Sequence, residues 1–136
     1  MKIWYQHGSE HSANLVMIGR FKDETKATRA KEVIDALTKH VRKEEESGAR
    51  VVGSPSERYG KEMLDLMARL DFVAVAPREL DQFAYEVSVE VEGDKIILTT
   101  EEDDVSAFLK VMIHHGARIE VYSAHDYPDT AHGRER

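Results

Sequence analysis

The chain contains no cysteine, only three prolines and a single tryptophan among its 136 residues. Without cysteine there is no disulfide framework, no thiolate metal site and no cysteine nucleophile, and the redox compartment is left open. Long apolar runs are missing too. The strongest, LVMI at 15–18 and FVAVA at 72–76, fall far short of the roughly 20 residues that cross a bilayer. The N-terminal stretch MKIWYQHGSEH has no basic region followed by an apolar one, so no secretory signal is read there. A cytoplasmic location, with no membrane, is the expectation. No G-x-G-x-x-G, Walker or G-x-S-x-G pattern occurs, which removes the signatures of dinucleotide sites, phosphate-loop NTPases and serine hydrolases.

Positive charge is in the minority. Nineteen Lys and Arg against 26 Asp and Glu give a net charge of −7, which opposes nonspecific binding to nucleic-acid backbones. Protonating all seven histidines would bring that charge to zero, and solubility is expected to be lowest near the pI of 5.5.

What is present reads as one core. Residues 1–122 form a single α+β domain in this reading and 123–136 a C-terminal tail. Segments 2–7 (KIWYQH) and 14–21 (NLVMIGRF) read as strands. From Asp23 the period changes, and Ala27, Ala30, Ile34, Leu37 and Val41 mark a helix that stops before Gly48. Ser54, Pro55 and Glu57 spell a capping box that predicts a second helix starting there, with Tyr59, Met63, Leu66, Met67 and Leu70 as its apolar face. FVAVA at 72–76 reads as a short strand. Alternation of Phe83, Tyr85, Val87, Val89 and Val91 predicts another, turned at Gly93-Asp94 into KIILTT. Val105, Phe108, Leu109 and Met112 mark a third helix closed by Gly116, and 117–122 is the last strand. Setting aside the first strand, this order is that of a ferredoxin-like α/β sandwich: a mostly antiparallel sheet, three helices and an extra N-terminal strand.

Such a fold hosts many functions, so function rests on sites. The densest candidate is the loop His7, Ser9, Glu10, His11, Ser12, with His7, Glu10 and His11 as the candidate catalytic groups. In a ferredoxin-like sheet the strand at 14–21 and the last strand are antiparallel neighbours, which brings His125 and Asp126 towards that loop as supporting residues. Paired imidazoles with a carboxylate suit acid–base work or, as a variant, zinc binding; a polar hairpin loop satisfying its own backbone is the plainer account. His114 and His115 close the third helix, one half-packed and one solvated, and read as capping residues. The GSPSE turn with Arg50 and Arg58 is a candidate anion cradle, with capping as the alternative. The helix-1 cations Lys26, Arg29, Lys31, Lys39, Arg42 and Lys43 are interspersed with acids and read as a solvated face, as does the Glu44–Glu46 run. Trp4 is a candidate interface residue.

Two functions stand side by side. One is a small regulatory or protein-interaction domain without a catalytic motif, forming a homodimer through its sheet or Trp4 and needing no cofactor. The other is a histidine-dependent hydrolase or nuclease built on residues 7–12.

Overall fold

The computed structural model describes residues 14–54 and 57–123. The expectations for segment 2–7, for the tail, and for Trp4, His7, Ser9, Glu10, His11, Ser12, His125 and Asp126 therefore lie outside the described residues.

Strand β1 (Leu15–Arg20) leads into helix α1 (Glu24–Ser47). Asp23 caps the helix by accepting the Lys26 amide at 2.9 Å, and Gly48, at φ 84°, closes it in the left-handed conformation that glycine adopts most easily. Ala27, Ala30, Val33, Ile34, Leu37 and Val41 form its buried stripe. Helix α2 (Lys61–Leu70), a 3₁₀ helix (Pro77–Ala84), strands β2 (Val87–Glu92) and β3 (Lys95–Thr100), helix α3 (Ser106–His114) and strand β4 (Arg118–Ser123) follow.

The four strands lie in the order β2-β3-β1-β4, every pair antiparallel. The α+β expectation holds, including the β1–β4 pairing. Among the described residues there are three α-helices, as expected, and the 3₁₀ helix Pro77–Ala84 in addition. Both edges of β1 are occupied over its whole length, from Leu15 against Thr100 and Ser123 to Arg20 against Lys95 and Arg118. One face of the sheet, carrying Met17, Ile96 and Leu98, packs with the helices in the main core; Val16, Ile18, Ile97 and Tyr122 cluster on the other. Gly19 permits the close seating of α3, since a Cβ there would come within 2.8 Å of the buried Met112 Sδ.

Three local expectations are corrected. The second helix starts at Lys61 rather than Ser54, with Gly60 as its N-cap. Segment 51–54 is instead a turn held by Asp81, whose Oδ2 accepts the Gly53 amide at 3.2 Å, while Glu57 pairs with Arg78 at 2.9 Å. Residues 72–76 make no strand: Phe72 and Val75 are buried side chains on an irregular segment whose Val75 carbonyl accepts the Tyr59 hydroxyl. The alternating strand begins at Val87, because Phe83 belongs to the 3₁₀ helix opened by Pro77.

Two polar networks fasten these segments. Val105, the N-cap residue of α3, has no capping side chain, so buried Gln82 serves from a distance. Its Oε1 accepts the Ala107 amide at 2.7 Å and its Nε2 donates to Asp104 and Ser106. Ser106 donates in turn to Glu79, which also accepts from Lys110 and the Ala76 amide. Burial raises the Glu79 pKa, but the bonds from Lys110, Ser106 and Ala76 with the Lys110 charge outweigh it and hold the carboxyl below its ordinary value. In the second network Arg50 bridges Glu44 and Asp81, each at 2.8 Å. Glu44 is thus largely buried, in contrast to its two solvated neighbours in the Glu44–Glu46 run. His40 Nε2 approaches Glu44 to 3.3 Å at an angle that makes no hydrogen bond.

Candidate functional site

The end of the sheet where β1 leaves and β4 enters carries a cleft of about 370 Å³ lined by Lys22, Lys26, Arg29, Leu70, Asp71, His114, His115 and Gly116. Each wall follows from a chain terminus. Lys22 lies between β1 and α1, and the Asp23 cap sets the first turn of α1, so that Lys26 and Arg29, three apart, share a helix face. Asp71, at φ 55°, ends α2 in the left-handed conformation, with its amide and that of Phe72 bonded back to Ala68 and Met67.

The third wall is the end of α3, closed by a Schellman motif. The Gly116 amide donates to Ile113 at 2.9 Å and the Ala117 amide to Met112 at 3.0 Å, with Gly116 at φ 90°. His115 adds a side-chain cap: its Nδ1 lies 2.9 Å from the Val111 carbonyl. A carbonyl oxygen only accepts, so Nδ1 carries the hydrogen and Nε2 is left for other partners. These bonds consume the carbonyls that would otherwise turn the negative end of the helix towards the cleft.

The capping role expected for the histidine pair holds for His115, and so does its half-buried state against an exposed His114. Their divergence does not. The helix stops at His114 and the chain bends at His115, so the two rings meet edge-to-face at 5.1 Å and line one cleft. Phe72 holds His114 from the other side at 5.2 Å. The helix-1 face is solvated as expected, with Lys26 and Arg29 both exposed. Lys31 pairs with Asp35 on the surface, but Lys26 and Arg29 join Lys22 in the cleft, and none of those three forms an ion pair among the described residues. Three cations and two imidazoles thus face a single carboxylate among the described residues, Asp71.

The other candidates stand differently. Arg50 of the GSPSE region is committed to Glu44 and Asp81 and is no longer available to an anion. A wider cleft of about 630 Å³ beside β2 and β3 sets Arg42 against Glu86, Glu101 and Glu102, and among the described residues no group of three His, Asp or Glu is placed to hold a metal ion. No helix among them is long and apolar enough to cross a membrane. The apolar cluster on the second face of the sheet is buried at Val16, Ile18 and Ile97. Residues 7–12 and 125–126 lie outside the described residues; Leu15 and Ser123, the strand residues nearest to them in sequence, pair with each other. That pair lies at the opposite end of β1 from the basic cleft, six residues or about 20 Å away at roughly 3.4 Å per residue.

The geometry defines a class: an α+β domain with a basic, histidine-bearing cleft at one end of an antiparallel sheet. Residues 1–134 match the model of a family of unknown function, DUF6375, and the chain belongs to that family. No curated protein and no solved structure matches it.

Proposed function

We propose that this protein is a regulatory domain of ferredoxin-like architecture that binds a small phosphate-bearing molecule in the Lys22–Lys26–Arg29–His114–His115 cleft. The observation that carries this reading is the gathering of three cations, without ion pairs among the described residues, beside two imidazoles in a chain whose net charge is −7. Like charges held together repel, and an anion among them relieves that repulsion. Phosphate suits the cleft better than a carboxylate does, because its three strong acceptor oxygens serve donors arriving from several directions. A cavity of about 370 Å³ lies in the roughly 300–1,000 Å³ range of small-molecule sites, and the negative chain as a whole disfavours a nucleic-acid polymer. Asp71 supplies an acceptor for a hydroxyl or amine elsewhere on the ligand.

Calorimetric titration with inorganic phosphate tests this. Saturable binding is expected, weakened at least about tenfold, or 1.4 kcal/mol, when Lys26 and Arg29 are both changed to Glu; both are exposed and the fold should survive. No saturable binding at millimolar phosphate, or binding indifferent to these changes, refutes the reading.

The pairing of Leu15 with Ser123 supports a second reading, in which His7, Glu10 and His11 work with His125 and Asp126 as a hydrolytic or zinc site. Zinc titration of the imidazole resonances tests it, and resonances unmoved by the metal remove the zinc form.

A further inference from the structure

We infer that His115 is the proton-carrying residue of the cleft, so that binding of a multivalent oxyanion takes up a proton at Nε2. This rests on the phosphate-site reading and deepens it.

The bond from Nδ1 to the Val111 carbonyl fixes both the orientation of the ring and the place of its first hydrogen. A neutral His115 therefore turns a lone pair outward at Nε2, and a lone pair repels an anionic oxygen. Protonation at the same atom turns that acceptor into a charged donor without moving the ring. An anion lodged beside it favours the protonated form. The groups facing His115 from the surrounding elements are Lys22 after β1, Lys26 and Arg29 on α1, Asp71 at the end of α2, and His114 beside it. Imidazole is the side-chain type whose charge changes most readily near neutrality, and the cleft holds two. Of these, His114 has ring contacts with Phe72 and His115 and no hydrogen bond to fix its tautomer among the described residues. His115 alone has one nitrogen already committed.

The consequence is a ligand preference that changes with acidity. Where one proton enters per anion, affinity rises by about tenfold for each unit of pH lowered. The cleft then retains phosphate-bearing ligands in mildly acidic conditions and releases them in alkaline ones.

Sulfate is the appropriate probe, since it has no proton of its own to gain near neutrality, and proton uptake then belongs to the protein. Calorimetry in buffers of different ionisation enthalpy, at about pH 7.5, is expected to show close to one proton taken up per sulfate bound. His115→Asn keeps an amide donor near the Nδ1 position for the Val111 carbonyl and lacks Nε2. It should still bind sulfate, with weaker affinity and no proton uptake, whereas H114N also weakens binding but retains close to one proton taken up per sulfate bound. Sulfate binding without uptake in the native protein, or uptake that persists in H115N, overturns the inference and leaves the pocket reading standing. Absence of binding by both sulfate and phosphate removes the pocket reading itself, and this inference with it. An H115N variant that does not fold is replaced by H115Q under the same readout.

Discussion

Single residues at the walls of the cleft have effects that separate stability from binding. Asp71 holds φ at 55°, a conformation costing an ordinary L-residue about 1–2 kcal/mol and Asp somewhat less. Asp71→Gly should therefore stabilise the fold by about 1 kcal/mol and, by removing the one carboxylate of the cleft, tighten phosphate binding. Urea denaturation and calorimetry on the same variant check both, and a variant less stable than the native protein contradicts this account of the helix end. Glu79 gives a pH prediction. Its carboxyl is held below the ordinary 4.5 against the opposing effect of burial, so it contributes stability that is present above 4.5 and lost as pH falls through its depressed value. Lys110→Met should remove part of that contribution at neutral pH and flatten the decline of stability below pH 4.5; denaturant melts across that range measure the slope.

At the scale of elements, the Arg50 clasp joins the end of α1 to the 3₁₀ helix by a buried bridge to Glu44 and Asp81. Removing one member of a buried ion network leaves its partners uncompensated, at a cost of about 3–5 kcal/mol. Arg50→Ala should lose about that much in equilibrium unfolding, and a loss below 1 kcal/mol would show that solvent enters the site. The same clasp explains what local sequence patterns did not convey. Helix α1 was legible because both its caps, Asp23 and Gly48, are local signals. The start of α2 was not: Glu57 of the expected capping box pairs instead with Arg78, and Asp81, distant in sequence, holds the Gly53 amide in a turn. Phe83 and Tyr85 continue the alternation of β2 in phase, so nothing in the period marks where the 3₁₀ helix ends. The cleft was missed for a related reason. Adjacent residues within a helix diverge, and only the end of α3 between His114 and His115 lets their rings converge. The one available signal was Gly116 directly after the pair, which already marked that end.

For the whole molecule, the antiparallel order β2-β3-β1-β4 sends β1 and β4 in opposite directions and so creates two distinct ends. One is marked by the pairing of Leu15 with Ser123 and the other holds the basic cleft. This concentration of cations among the described residues sits in a negatively charged molecule, an arrangement that draws small anions to one place while the net charge opposes polyanions. Composition alone conveyed the second half of that statement. The first half required the fold, because Lys22, Lys26 and Arg29 meet His114 and His115 only through the packing of α1 and α3 beside the sheet. The most direct measurement is a titration of isotope-labelled protein with inorganic phosphate, followed residue by residue by NMR. The account predicts saturable shifts concentrated at Lys22, Lys26, Arg29, Asp71 and His114 to Gly116; shifts absent there, or concentrated at residues 7–12 instead, would contradict it.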